Sequence, residues 1–240
     1  MKNSISVLIV VLILGNCLFA QVAHTTINCN CHGQSQLKEF IDDRNIPELF
    51  FADSNTGTYE NWSTSILCPG GKPAAPVSEE DSNLVELNYA EWSCKYSAFM
   101  AMDNDPKTCW CEGAKGDGIG EILLVSVNTH KDIFIWSGFG KSEKLFKANN
   151  RPRKIRLYFF YTIEPAEAVQ EGIGFKDIRL HKTEEVELDD KNGYQPLPYL
   201  MESFDEETVT ATFLAVEILT VYKGTLFEDT CISEISNHVR

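Results

Sequence analysis

Apolar and polar residues alternate with a period of two over much of the second half of the chain. Ile155, Leu157 and Phe159 are separated by Arg156 and Tyr158, and Ile178 and Leu180 by Arg179. That is the spacing of a strand with one face against a core and the other toward water. The same reading predicts strands over residues 121–127, 132–136, 154–162, 175–181, 184–188 and 208–221, all rich in β-branched and aromatic residues. Turn-forming stretches lie between them: Asn128-Thr129-His130-Lys131, Gly138-Phe139-Gly140-Lys141 and Asp189-Asp190-Lys191-Asn192-Gly193. Short strands with no long helix between them imply an all-β protein, an antiparallel β-sandwich.

The first third reads differently. Leu37, Phe40 and Ile41 recur at helical spacing and predict one short helix over residues 36–43. Residues 69–76, PGGKPAAP, read as an exposed loop, and the acidic Glu79-Glu80-Asp81 follows. The expected organisation is a signal peptide over 1–20, a cysteine-containing N-terminal extension over 21–85 and the sandwich over 86–240.

The signal reading rests on Lys2, the apolar run from Val7 to Leu14 and small residues up to Ala20. The run is shorter than the roughly 20 residues a spanning helix needs, so no transmembrane segment is expected. Cleavage after Ala20 would place the chain outside the cell or in the cell envelope. Leu14-Gly15-Asn16-Cys17 also resembles a bacterial lipobox, which would anchor the chain through Cys17. The formal charge is −14, from 21 basic and 35 acidic residues. The densest basic run, Arg151-Pro152-Arg153-Lys154, is short, so a phosphate backbone has no basic face to meet and nucleic acid is excluded as a partner.

Seven of the eight cysteines follow the signal: Cys29, Cys31, Cys68, Cys94, Cys109, Cys111 and Cys231. Disulfides are the expectation for an exported chain, with at least one thiol left over by the odd number. Cys94, just upstream, is a candidate partner for Cys109 or Cys111. Cys29-Asn30-Cys31-His32 is one residue short of the haem attachment spacing and is weak as a zinc signature. Asn61-Trp62-Ser63 is a glycosylation sequon.

The stretch TCWCEGAKGDGIGE, residues 108–121, suggests a phosphate cradle at first sight. The dinucleotide fingerprint started at Gly116 would need glycine at Glu121, and the Walker form needs a Gly-Lys-Ser/Thr that is absent. The glycines also lead into a strand, Ile122-Leu123-Leu124-Val125, where a nucleotide loop opens a helix. Gly116, Gly118 and Gly120 therefore read as architectural, and Trp110 as a core residue of the sandwich.

With its surroundings the stretch resembles the discoidin-like, coagulation-factor type C jelly roll, in the version named for the translocation domain of bacterial NAD glycohydrolases. The resemblance runs from about Tyr96 to Ile235. Its motifs are residues 98–110 (AFMAMDNDPKTCW), Glu112-Gly113, residues 116–121, Gly138-Phe139, Asn149-Asn150-Arg151-Pro152, Val186-x-Leu188-x-Asp190 with Gln195, residues 221–224 (VYKG), Asp229-Thr230 and residues 232–235 (ISEI). It implies a galactose-binding-like jelly roll and, in many members, carbohydrate binding. It further implies a structural calcium held at Asp103, Asp105, Thr108 and Glu234, with Asn104 standing where glycine is usual. Hard oxygen donors in one tight loop suit calcium, and asparagine tolerates positive φ better than most residues. The resemblance offers Asn149, Asn150, Arg151, Glu112 and Asp117 as ligand contacts.

The catalytic half of an NAD glycohydrolase is a separate domain, and the extension is too short and polar to be one. Gly-x-Ser-x-Gly and His-Glu-x-x-His are absent, and the five histidines show no metal spacing. The expected function is thus a non-catalytic exported module that binds a glycan or cell-surface partner. The alternatives are a protein adaptor or toxin-translocation accessory and, less favoured, a small hydrolase.

Overall fold

The computed structural model describes residues 33–52, 62–71, 92–169, 172–200 and 208–239. The signal segment with Cys17 and Ala20, the Cys29–His32 element, Asn61 and the acidic run at 79–81 lie outside the described residues.

The elements, in chain order, are α1 (Gln36–Asp42), β1 (Asn45–Ala52), a 3-10 turn (Ala98–Ala101), β2 (Trp110–Cys111), β3 (Ile122–Ser126), β4 (Ile133–Ser137), α2 (Glu143–Ala148), β5 (Arg151–Thr162), β6 (Glu167–Val169), β7 (Gly172–Glu187), β8 (Gln195–Leu197), β9 (Ala211–Tyr222) and β10 (Cys231–Ser236). They form two antiparallel sheets. The larger runs β1-β7-β5-β9-β3, with β6 also on β7, and the smaller runs β2-β10-β4-β8.

Period-two patterning explains the layers. Leu214, Val216 and Ile218 of β9, Ile155, Leu157 and Phe159 of β5, and Leu123 and Val125 of β3 point between the sheets. There they meet Trp110, Ile133, Ile135, Ile232 and Ile235 of the smaller sheet. The residues one position over, Phe213 and Ala215 of β9, Phe160 of β5 and Ile122 and Leu124 of β3, belong to a second apolar layer on the other face. Leu37 and Ile41 of α1, Ile46 and Leu49 of β1, and Trp62 cover that layer. β3 is therefore buried on both faces, which is why its sequence, ILLV, is an unbroken apolar run rather than an alternating one.

The segment ahead of the sandwich thus takes part in it. β1 pairs with β7 along its length, from Asn45 opposite Arg179 to Ala52 opposite Gly172. At the other edge Ser63 bridges Leu123, while the Thr64 amide donates to the Ile122 carbonyl (2.9 Å) and the Leu124 amide to the Trp62 carbonyl (2.8 Å). The edges that β7 and β3 would otherwise leave unpaired are covered in this way.

Two sequence expectations change. The separate strands over 175–181 and 184–188 are one strand, β7: Lys182 and Thr183 pair with Phe159 and Tyr158, and no glycine, proline or asparagine breaks the ladder there. Residues 143–148, unassigned from the sequence, form α2, whose Ser142 side chain accepts from the Leu145 amide (3.2 Å) as an N-cap. Trp110 is fully buried between the sheets, with Nε1 donating to the Ser65 carbonyl (3.0 Å).

Cysteine pairing is a further correction. Cys111 is bonded to Cys231, directly opposite it in the β2–β10 pair with Cα atoms 4.2 Å apart, and Cys109 keeps a buried thiol. Cys94 is disulfide-bonded, as is Cys68, but to neither Cys109 nor Cys111. The Cys111 amide and carbonyl bond to Tyr96 and Leu67 rather than to Cys231. The two cysteines therefore form the close, non-hydrogen-bonded kind of cross-strand pair, which brings their sulfurs within bonding reach.

Candidate functional site

The loop between the 3-10 turn and β2 gathers oxygen atoms around Thr108. Its Oγ1 lies 2.8 Å from Asp103 Oδ2, 2.7 Å from the Asp105 carbonyl and 3.3 Å from the Met100 carbonyl. A hydroxyl has one proton, so three acceptors around it exceed what it can satisfy. Asp103 Oδ1 accepts from the Asp105 amide (2.9 Å) and Asp105 Oδ1 from the Lys107 amide (3.1 Å), which shapes the turn. Asn104 sits at φ 62°, the left-handed conformation for which glycine is the usual residue. Burial raises the Asp103 carboxyl above the ordinary aspartate value.

β10 packs against the 3-10 turn and carries Glu234 with no exposed surface. The Gly140 amide donates to Ser233 Oγ (2.8 Å), and a side chain at Gly140 would collide with the Pro106 carbonyl. The loop, the β4–α2 connection and β10 are thereby held as one unit. Its donor set, carboxylate, hydroxyl and main-chain carbonyl, suits a hard cation such as calcium.

The residues expected to meet a ligand gather where the loops 112–121, 149–151 and 223–230 converge. Glu112 is wholly buried. Its Oε1 accepts from the Thr230 amide (3.0 Å) and its Oε2 from the Ala114 amide (2.7 Å). Burial away from any cation pushes its carboxyl up to about 7. Gly118, at φ 66°, packs on that side chain so closely that a Cβ would stand 2.4 Å from its Cδ.

Asp117 accepts from Lys223 Nζ and from Asn150 Nδ2, and the Lys223 contact holds its carboxyl below the usual range. Asn150 Nδ2 also donates to the Glu228 carbonyl (2.7 Å), while its Oδ1 accepts from the Gly224 amide (2.7 Å). Asn149 Nδ2 donates to the Leu145 carbonyl (2.9 Å) at the end of α2. Arg151 grips Asp190 with Nε (3.0 Å) and Nη2 (2.8 Å) and gives Nη1 to the Asn149 and Lys223 carbonyls.

Glu112, Asn149, Asn150 and Arg151 are all buried. They stitch three loops together, and their polar groups are engaged inside the protein. The large apolar residues exposed on this rim are ones the sequence did not offer as contacts: Leu226 (70% exposed), Ile119 (54%) and Phe227 (49%). A run of large apolar residues in a loop, Leu226-Phe227, is the signal that would have marked them.

A two-sheet jelly roll with an oxygen-rich loop at its first small strand and a stitched loop rim is the architecture of a discoidin-type module. The family model for the NAD glycohydrolase translocation F5/8 type C domain matches residues 78–238, and the chain belongs to that family. The match is to a translocation module and not to a catalytic domain. No curated relative matches the chain.

Among solved structures, the F5/8 type C domain of a Bacteroides fragilis protein is similar at 14% identity, covering 61% of this chain and 83% of that one, with a TM-score of 0.32. A mycobacterial arabinofuranosyltransferase is similar at 16% identity over 59% of this chain and 9% of its own, with a TM-score of 0.34. A Ruminococcus gnavus GH29 fucosidase in complex with fucose is similar at 10% identity over 59% of this chain and 22% of its own, with a TM-score of 0.26. Among the described residues no helix is long and apolar enough to cross a membrane.

Proposed function

We propose that the chain is an exported, non-catalytic binding module that recognises a cell-surface glycan, with a structural calcium ion bracing the loop before β2. The oxygen cluster at Thr108 carries the metal part of this reading. Asp103, the Met100 and Asp105 carbonyls, Thr108 and the buried Glu234 would hold the ion, which would supply positive charge to a cluster otherwise short of protons.

Membership of the translocation-type family and the engaged state of the polar rim support binding without chemistry. A rim fixed by Asn150, Arg151 and Glu112 presents Phe227 at a constant angle, and an exposed aromatic ring is a stacking face for a sugar. The same rim favours a protein partner to the extent that Ile119 and Leu226 are used with it. Asn149, Asn150, Arg151, Glu112 and Asp117 then position the contact loops.

A glycan array run with and without chelator tests this, alongside melting temperatures. The expected result is glycan binding that chelator abolishes and Phe227→Ala weakens, with a lower melting temperature after metal removal. A blank array and an unchanged melting temperature refute both the sugar and the calcium. NAD consumption by the same preparation refutes the non-catalytic assignment.

A further inference from the structure

Three sulfur atoms meet in the wall of the sandwich, between the oxygen cluster, whose Thr108 precedes Cys109, and the loop rim, whose Glu112 and Thr230 adjoin Cys111 and Cys231. Cys109 Sγ lies 3.4 Å from Cys111 Sγ, which is bonded to Cys231 Sγ, and all three fall within 4.8 Å of one another. Each is at most 1% exposed, and Leu67, Tyr96 and Phe139 pack around them. Cys109 stands just before β2 and Cys111 ends it, on either side of Trp110, and Cys231 opens the neighbouring strand β10.

We propose that, once the Cys111–Cys231 bond is reduced, Cys109, Cys111 and Cys231 form a three-thiolate site for a soft monovalent cation such as Cu(I). A structural disulfide needs two cysteines, and the third has no part in it. Metal–sulfur bonds of about 2.3 Å place the sulfurs of a trigonal site about 4 Å apart. Cys109 and Cys111 already stand near that spacing, and release of the bond lets Cys231 withdraw to it without a change in strand register.

The donor type selects the metal. Among the described residues no fourth His, Cys, Asp or Glu atom joins the cluster, so zinc, which takes four ligands, is poorly served. Thiolate sulfur favours Cu(I) over hard cations, and the apolar lining excludes water that would complete a larger coordination shell. A dithiol reductant supplies the two electrons: its own disulfide forms, the Cys111–Cys231 bond breaks, and each freed sulfur takes a proton. Cu(I) then displaces the thiol protons to solvent as the copper–sulfur bonds form.

The test uses the full chain, reduced anaerobically by a dithiol that is then removed, and loaded with one equivalent of Cu(I). Iodoacetamide followed by peptide mass mapping reports which cysteines the metal shields. The expected result is joint protection of Cys109, Cys111 and Cys231, weakened at least about tenfold in Cu(I) affinity by Cys109→Ser and not reproduced by Zn(II). Protection confined to Cys29, Cys31, Cys68 or Cys94 overturns the proposal, as does an unchanged Cys109→Ser variant or equal protection by Zn(II). Near-UV circular dichroism covers loss of fold on reduction. Recovery of the tryptophan signal with Cu(I) supports the site, and failure to recover it refutes the site.

Discussion

Glu112 makes the stability of this domain depend on pH in a sense opposite to that of a surface carboxylate. Its carboxyl is raised from 4.5 to about 7 by burial, against the two amide hydrogen bonds that favour the ionised form. The folded state therefore holds this proton more tightly than the unfolded state. The associated stability is fully present below about pH 4.5 and is lost as pH rises through about 7. At about 1.36 kcal/mol per pKa unit, the difference amounts to a ceiling of about 3 kcal/mol.

Glu112→Gln removes the titration and approximates the neutral acid, keeping a carbonyl for the Thr230 amide. Denaturant midpoints for wild type and variant at pH 5, 6, 7 and 8 isolate the group, because every other titration is common to both. The two should be close at pH 5, and the variant should gain on wild type toward pH 8 along a single-proton curve. A difference that is flat, or that grows in favour of wild type as pH rises, refutes the reasoning. It would mean that the Ala114 and Thr230 amides outweigh burial.

Arg151→Lys should cost about 3 kcal/mol, since a lysine cannot reproduce the paired grip on Asp190 and leaves a buried acceptor cluster short of donors. Thermal or urea melts check this, and a loss under 1 kcal/mol would show that the Arg151–Asp190 pair does not hold the loops. Cys231→Ser opens a bond across a sequence separation of 120 and should cost about 2–5 kcal/mol, whereas Cys109→Ala in the oxidised protein, which breaks no bond and buries no new polar group, should cost about 1 kcal/mol. Equal losses in the two variants, measured side by side under non-reducing conditions, would contradict the assigned pairing.

What was legible in the sequence follows from how locally each feature is determined. The alternation Ile155, Leu157, Phe159 reports a strand because each side chain's face depends only on its own position in the pleat. β1 carried no such signal: its Pro47 and a mixed NIPELFFA pattern belong to an edge strand whose partner, β7, lies 134 residues on at the Asn45–Arg179 pair. Helix α1 was visible from Leu37 and Ile41, but that its apolar face meets Phe160 and Phe213 was not. The disulfide failed for the same reason. Cys94 is near Cys109 in sequence, while Cys231 is near Cys111 only because β10 returns beside β2.

The polar motif shows where reading a site from residue types stops. Asn149, Asn150, Arg151 and Glu112 are the side chains a sugar-binding surface would use, and they stand at the converging loops. A buried polar group must be satisfied, however, and these are satisfied by Lys223, Gly224, Glu228, Thr230 and Asp190 before any ligand arrives. A ligand that used them would have to displace main-chain contacts that fix the loops themselves. Recognition is then better served by what the stitched frame leaves outside, Phe227, Leu226 and Ile119, whose identity the frame does not constrain. On that division of labour, a change in the motif alters where the loops stand, and a change at their tips alters what they bind.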